Sequence, residues 1–191
     1  MFLSVIALVA ASCGGDEVDV GATTTTAPAE TTTTKTATSV VAPADTTTTA
    51  AAPSDGIGIL VIAAIGFADG TYTIRNDGDG SLDLSGYWAC NRPSYVELPA
   101  ETLQPGATLD ISTGGLSLSA DDGELGIYNS QSFSSSSAIQ AYVQWGSDGH
   151  GRTGTAVSGG VWTAGEFVDN GGSGIVSSGS NPISASDWMT P

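Results

Sequence analysis

The fold class predicted by this sequence is an all-β antiparallel sandwich, and three observations predict it. Beyond about Asp55 the chain is rich in Gly, Ser and Thr and holds no long stretch of good helix formers. Seven or more short runs there read as candidate strands, several of them alternating apolar with polar residues as half-buried strands do. Gly, Pro, Asp and Asn punctuate these runs at short intervals, as the turns of two stacked antiparallel layers require.

Taken in order, the chain starts with an apolar run, Phe2 to Ala11, that ends in Ala10-Ala11-Ser12 directly before Cys13. The run is far shorter than the roughly 20 apolar residues that span a bilayer, and it matches the apolar core of a secretory signal. Residues 1–12 resemble a bacterial lipoprotein signal peptide, which implies cleavage before Cys13 and a lipid on that cysteine. A plain secretory signal with an incidental cysteine is the alternative. No Lys or Arg precedes the run, which predicts a start further upstream. The expected placement is export to the outer face of the cell membrane, with the membrane engaged through the lipid on Cys13.

Residues 13–55 are dominated by Thr, Ala and Pro, with tetrathreonine runs starting at Thr23, Thr31 and Thr46. Lacking apolar periodicity, they cannot repay the entropy of ordering and are expected to form a disordered stalk. Some forty residues reach on the order of 130 Å fully stretched and about 35 Å as a flexible coil. Clustered Thr with Pro also suits O-glycosylation.

Residues 56–191 are the expected folded domain. Ile57 to Phe67 is the most apolar stretch after the signal; it is too short to span a membrane and reads as a buried first strand, ended by Asp69-Gly70. Thr71 to Asn91 reads as a central hairpin about Asp77-Gly78-Asp79-Gly80, with Tyr72 and Ile74 on one face with Leu82, Leu84, Trp88 and Cys90. Tyr95 to Leu98 is a short strand, and Gln104-Pro105-Gly106-Ala107 has the Pro and Gly of a type II turn. Ala107 to Ser112, Glu124 to Asn129 and Ala138 to Trp145 follow as strands. In the last, Ile139, Ala141, Val143 and Trp145 face inward and Gln140, Tyr142 and Gln144 outward. Thr155 to Val161, Glu166 to Val168 and Ile175 to Ser177 complete the candidates.

Successive blocks of this region resemble a lamin-tail-type domain. They are Ile74-Arg75-Asn76, Leu82-Asp83-Leu84-Ser85-Gly86-Tyr87, Leu103-Gln104-Pro105-Gly106-Ala107-Thr108-Leu109 and Tyr142-Val143-Gln144-Trp145-Gly146. The resemblance covers roughly Ile57 to Trp188 and implies an immunoglobulin-like sandwich that serves as a non-catalytic extracellular module. It departs from the family's pattern in a shortened middle region and in the Gly-rich segment from Gly146 to Gly154.

The chain carries 20 acidic residues against 4 Lys plus Arg, and with Lys35 outside the domain only Arg75, Arg92 and Arg152 are fixed cations within it. Such a surface repels phosphate backbones, so nucleic acid is excluded as a partner. Cys13 and Cys90 have different expected fates, the first lipidated and the second a small buried hydrophobe, so no internal disulfide is expected.

Few residues carry the pattern of a chemical site. Asp77, Asp79 and Asp83 alternate like the first half of a calcium loop, but Trp88 stands where an EF-hand needs Glu; a looser calcium site or a solvated acidic turn remain the two readings. Gly149, Gly151 and Gly154 have G-x-G-x-x-G spacing, which needs a following helix where Thr155 to Val161 reads as strand. Ser147, Asp148 and His150 supply the letters of a hydrolase triad, yet they are neighbours in one loop and no G-x-S-x-G elbow occurs. Cys90, His150 and Met189 are residue types found among blue-copper ligands, but that site needs two histidines where only one exists. No cofactor and no catalytic residue are therefore expected. A ligand or partner face is expected at Tyr87, Tyr142, Asp148, His150 and Arg152, with Arg152 either capping its loop through Asp148 or binding a carboxylate or acidic sugar. The leading expectation is a lipid-anchored surface protein whose sandwich is an interaction module for a cell-envelope protein or glycan. The alternative is a ligand-binding lipoprotein that recognises calcium or a cell-wall sugar.

Overall fold

The computed structural model describes residues 55–169 and 172–191, so the signal segment, Cys13 and the Thr-rich segment up to Ser54 lie outside the described residues. The described chain forms β1 (Leu60–Gly66), β2 (Thr71–Asn76), β3 (Leu82–Asp83), β4 (Trp88–Asn91), β5 (Ser94–Glu97), β6 (Thr102–Leu103) and β7 (Thr108–Ser112). Then follow β8 (Gly123–Tyr128), β9 (Ile139–Trp145), the helix α1 (Thr153–Ser158), β10 (Gly174–Ser177) and β11 (Trp188–Met189). A five-stranded sheet has the order β11-β10-β1-β2-β7, a four-stranded sheet β5-β4-β8-β9, and β3 pairs with β6 in a small ribbon. All strand pairings within these sheets are antiparallel. The fold is an antiparallel β-sandwich.

The core lies where the sheets face each other. β2 buries Tyr72, Ile74 and Asn76 in strict alternation. From the other sheet come Ala89, Leu125, Ile127, Val143 and Trp145, each fully buried. Trp145 packs on Phe67 with ring centroids 5.2 Å apart and donates its indole N–H to the Ser119 carbonyl at 2.8 Å. Burial of each large aliphatic side chain here contributes roughly 1.5–3 kcal/mol.

The central hairpin expected between Thr71 and Asn91 does not form. Both edges of β2 are occupied, by β1 and β7, and Leu82–Asp83 pairs instead with Thr102–Leu103. The tight hairpin is β1–β2, closed at Gly70 with φ +62°. Gly78 and Gly80 serve a different purpose from the expected turn, because the segment Gly56 to Ile59 lies directly against them. A Cβ on Gly78 would sit 2.0 Å from the Ile57 carbonyl oxygen, and one on Gly80 would sit 1.9 Å from that of Gly56. Only glycine permits this approach.

Asn76 fastens that corner. Its side-chain oxygen accepts the Ile59 and Gly78 N–H groups at 3.0 and 2.9 Å, and its amide donates to the Gly80 and Leu103 carbonyls at 2.7 and 2.9 Å. The expected type II turn is present beside it: Gly106 has φ +76° and the Ala107 N–H reaches the Gln104 carbonyl at 2.9 Å.

Two further expectations fail for local reasons. Thr155 to Val161, expected as strand, lies largely in α1, whose end is a left-handed cap: Gly160 has φ +72°, its N–H reaches Val157 O, and Val161 N–H reaches Ala156 O. Gly159-Gly160 is thus a helix stop signal rather than a break in a strand. Glu166 to Val168, also expected as strand, is reduced to one parallel bridge between Val168 and Trp145.

Candidate functional site

The side chains with chemistry gather on the outer face of the four-stranded sheet. Cross-strand register puts Cys90, Gly126 and Tyr142 in one row, Trp88 and Tyr128 in another, and Glu124 opposite Gln144. Loop residue Phe133, helix α1 and Trp162 roof this face. Phe133 packs on Tyr95, Trp88 and Tyr128, and Trp162 packs on Tyr142 with centroids 5.8 Å apart. A second apolar layer results, with polar groups sealed beneath it.

Glu124 is the centre of that polar layer and is only 1% exposed. One carboxylate oxygen accepts the Tyr142 hydroxyl and the Arg152 main-chain N–H, both at 2.8 Å; the other accepts the Arg92 N–H at 3.4 Å. Tyr142 also meets Thr153 Oγ1 at 3.0 Å, and Thr153 donates to Gln144 Oε1 at 2.5 Å. Gln144 in turn donates to Asp148 at 2.8 Å and to the Glu166 carbonyl at 2.7 Å. Burial, followed by the charge of Glu124, pushes the Tyr142 phenol far above its ordinary value. This phenol is a fixed donor at any physiological pH.

Tyr142 therefore departs from its expected place on an exposed face. It points outward from the sandwich core as its parity predicts, but it is 1% exposed because the roof covers it. Tyr87 remains half-buried, so the two tyrosines do not share an exposed patch. Trp88 and Cys90, expected to face inward with Tyr72, belong to the roofed face instead. Cys90 is fully buried, and that burial pushes its thiol up to about 11, a rise the neighbouring Arg152 guanidinium opposes.

The loop from Gly146 to Arg152 does not assemble a triad. Ser147 donates to Asp122 Oδ1 at 2.7 Å, and His150 Nε2 lies 3.2 Å from the same oxygen. Nucleophile and base thus face one acid side by side, and that acid is not Asp148, whose bond is to Gln144. Nor does Arg152 cap the loop through Asp148. Its guanidinium donates to the Tyr95 hydroxyl at 2.6 Å and to Ser134 Oγ at 3.3 Å, and its carbon lies 5.7 and 6.0 Å from the Tyr95 and Phe133 ring centroids.

A helix does follow the glycine triplet, contrary to expectation, but the anion position at its start is taken. The Glu124 carboxylate holds the Arg152 N–H there, and its charge repels a phosphate. The acidic turn is committed as well. Asp77 takes the Arg75 guanidinium in two bonds, one of them 2.9 Å, and Asp79 accepts the Ile57 N–H at 2.9 Å. Asp83 accepts the Ser85 N–H and hydroxyl at 2.9 and 2.7 Å, which hold its carboxyl below the usual range. Among the described residues no three His, Cys, Asp or Glu side chains are grouped as metal ligands.

Sequence reasoning missed Glu124, Arg92, Tyr95 and Phe133 as members of this site. Glu124 left one signal, a single acid inside the otherwise uncharged and largely apolar run Gly123–Tyr128. Phe133, in a serine-rich loop, left none. A scan against protein-family models gave no match, and searches of curated proteins and of solved structures gave none either.

Proposed function

We propose that the protein is an exported, lipid-anchored surface protein whose β-sandwich is a non-catalytic interaction module. Cys13 would carry the lipid, residues 13–55 would be the spacer, and the sandwich would be the presented part. The apolar run ending at Cys13 supports the anchor. The lamin-tail-like blocks and the sandwich architecture are compatible with a presented module.

One observation carries the functional half. Of the groups with catalytic potential, Glu124, Ser147 and Asp148 are hydrogen-bonded within the protein and His150 faces the acid that Ser147 already holds, whereas the half-buried Arg152 lies over two aromatic rings. That arrangement supports a recognising role over a reacting one. It also favours the sugar half of the alternative reading over calcium.

Metabolic labelling with radioactive palmitate tests the anchor. The expected result is label on the wild-type chain and on the detergent phase after partition, and loss of both in Cys13→Ser. Equal labelling of the two chains, or wild-type protein in the aqueous phase of acylating cells, overturns it.

A further inference from the structure

We propose that Arg152, set over the rings of Tyr95 and Phe133, and Arg92 beside Gly151 form a binding site for a carboxylate-bearing saccharide. The proposal rests on the reading of the sandwich as a presented module and names its ligand class.

Of the three arginines in the domain, Arg75 is paired with Asp77. Neither Arg92 nor Arg152 has a carboxylate within ion-pair distance of its side chain among the described residues. Both are nevertheless brought to one place by one buried acid, since Glu124 accepts the main-chain N–H of each, at 3.4 and 2.8 Å. The Arg92 side chain then lies across Gly151, the residue before Arg152. A Cβ on Gly151 would stand 2.5 Å from Arg92 Cδ and 3.0 Å from its Nη1, so the glycine is what admits the side chain. Two of the few cations in a chain with net charge −16 thus have their main chains held by one carboxylate. Like charges so placed repel each other, and the Glu124 carboxylate beneath offsets only one of them.

The surroundings select the ligand. A guanidinium fork matches a carboxylate in geometry and charge. Tyr95 and Phe133, both half-buried with centroids 4.2 Å apart, give the apolar floor on which a pyranose face rests, and exposed Ser134 offers a hydroxyl at the rim. A neutral glycan would use the rings and leave the arginines idle. An acidic sugar uses both.

Calorimetric titration of the full-length chain in detergent micelles tests this, with an oligogalacturonide and its methyl ester as probes. The free acid is expected to bind about tenfold more tightly than the ester, and more weakly as salt rises. Arg152→Gln is expected to lose about tenfold in affinity for the acid. Arg92→Gln, whose side chain is exposed, is expected to lose severalfold without a change in melting, and Arg75→Gln to bind like wild type. Equal affinity for acid and ester, undiminished binding in both site variants, or no binding by wild type at about 5 mM would overturn the site. Because acylation is read separately by palmitate labelling, a labelled chain that fails to bind refutes the ligand and leaves the anchored module standing.

Discussion

In β2 of the five-stranded sheet, Tyr72, Ile74 and Asn76 are buried, and Thr71, Thr73 and Arg75 between them are partly exposed. In β9 of the four-stranded sheet, Tyr142, Val143, Gln144 and Trp145 are buried in succession. Both strands contain alternating stretches, but only β2 has an uncovered outer face. The other is covered by α1, Phe133 and Trp162, so its outward side chains enter a second core. Alternation fixes which side of a strand a residue takes; what lies on that side is decided by segments far away in the chain.

That contrast can be broken most directly by truncating one outward residue in each sheet. Tyr142→Ala should cost about 3–5 kcal/mol in urea unfolding, as a core deletion does, whereas Thr73→Ala should cost about 0.5 kcal/mol or less. Similar values for the two would mean that the roof does not seal the four-stranded sheet. Asn76→Ala should come next, at about 3 kcal/mol, because it strands two carbonyls and two N–H groups at a corner where all four now bond to the amide. A loss under about 1 kcal/mol would show that water satisfies that corner.

A smaller effect follows from pH. The Cys90 thiol has a folded value of about 11 against an ordinary 9.0, and burial moves Tyr72, Tyr128 and Tyr142 in the same direction. An acid whose pKa is raised on folding holds its proton more tightly in the folded chain. Its contribution is therefore complete below pH 9 and disappears as pH climbs toward 11. Melting temperature should be level near neutrality and decline across that alkaline window, less steeply in Cys90→Ala. The smallest effect belongs to the five-stranded sheet: Arg75→Gln removes a partly exposed pair with Asp77 and should cost about 0.5 kcal/mol, less at high salt.

The same contrast explains what could be read from the sequence. The sandwich itself was legible, because Tyr72, Ile74, Val143 and Trp145 announce their faces by period and Gln104 to Ala107 states its own turn. The pairing of β2 was not, since Asp77 to Gly80 offered a local hairpin and the actual neighbours of β2, one of them 32 residues downstream at Thr108, outcompeted it. The polar layer under α1 was hidden for a related reason. Glu124 and Arg152 are separated by 28 positions, and neither has a local pattern that points to the other. His150 and Ser147 drew attention by residue type alone, and their partner, Asp122, sits just before β8, opposite their loop in the β8–β9 register but 25 positions before Ser147 in the chain.

The burial of Cys90 has a chemical consequence. Its sulfur is fully enclosed and stays protonated at neutral pH, so neither an oxidant nor the same atom of an adjacent copy can reach it. Oxidising conditions therefore leave the sandwich without a disulfide at Cys90, and no reductant is needed to keep that thiol free.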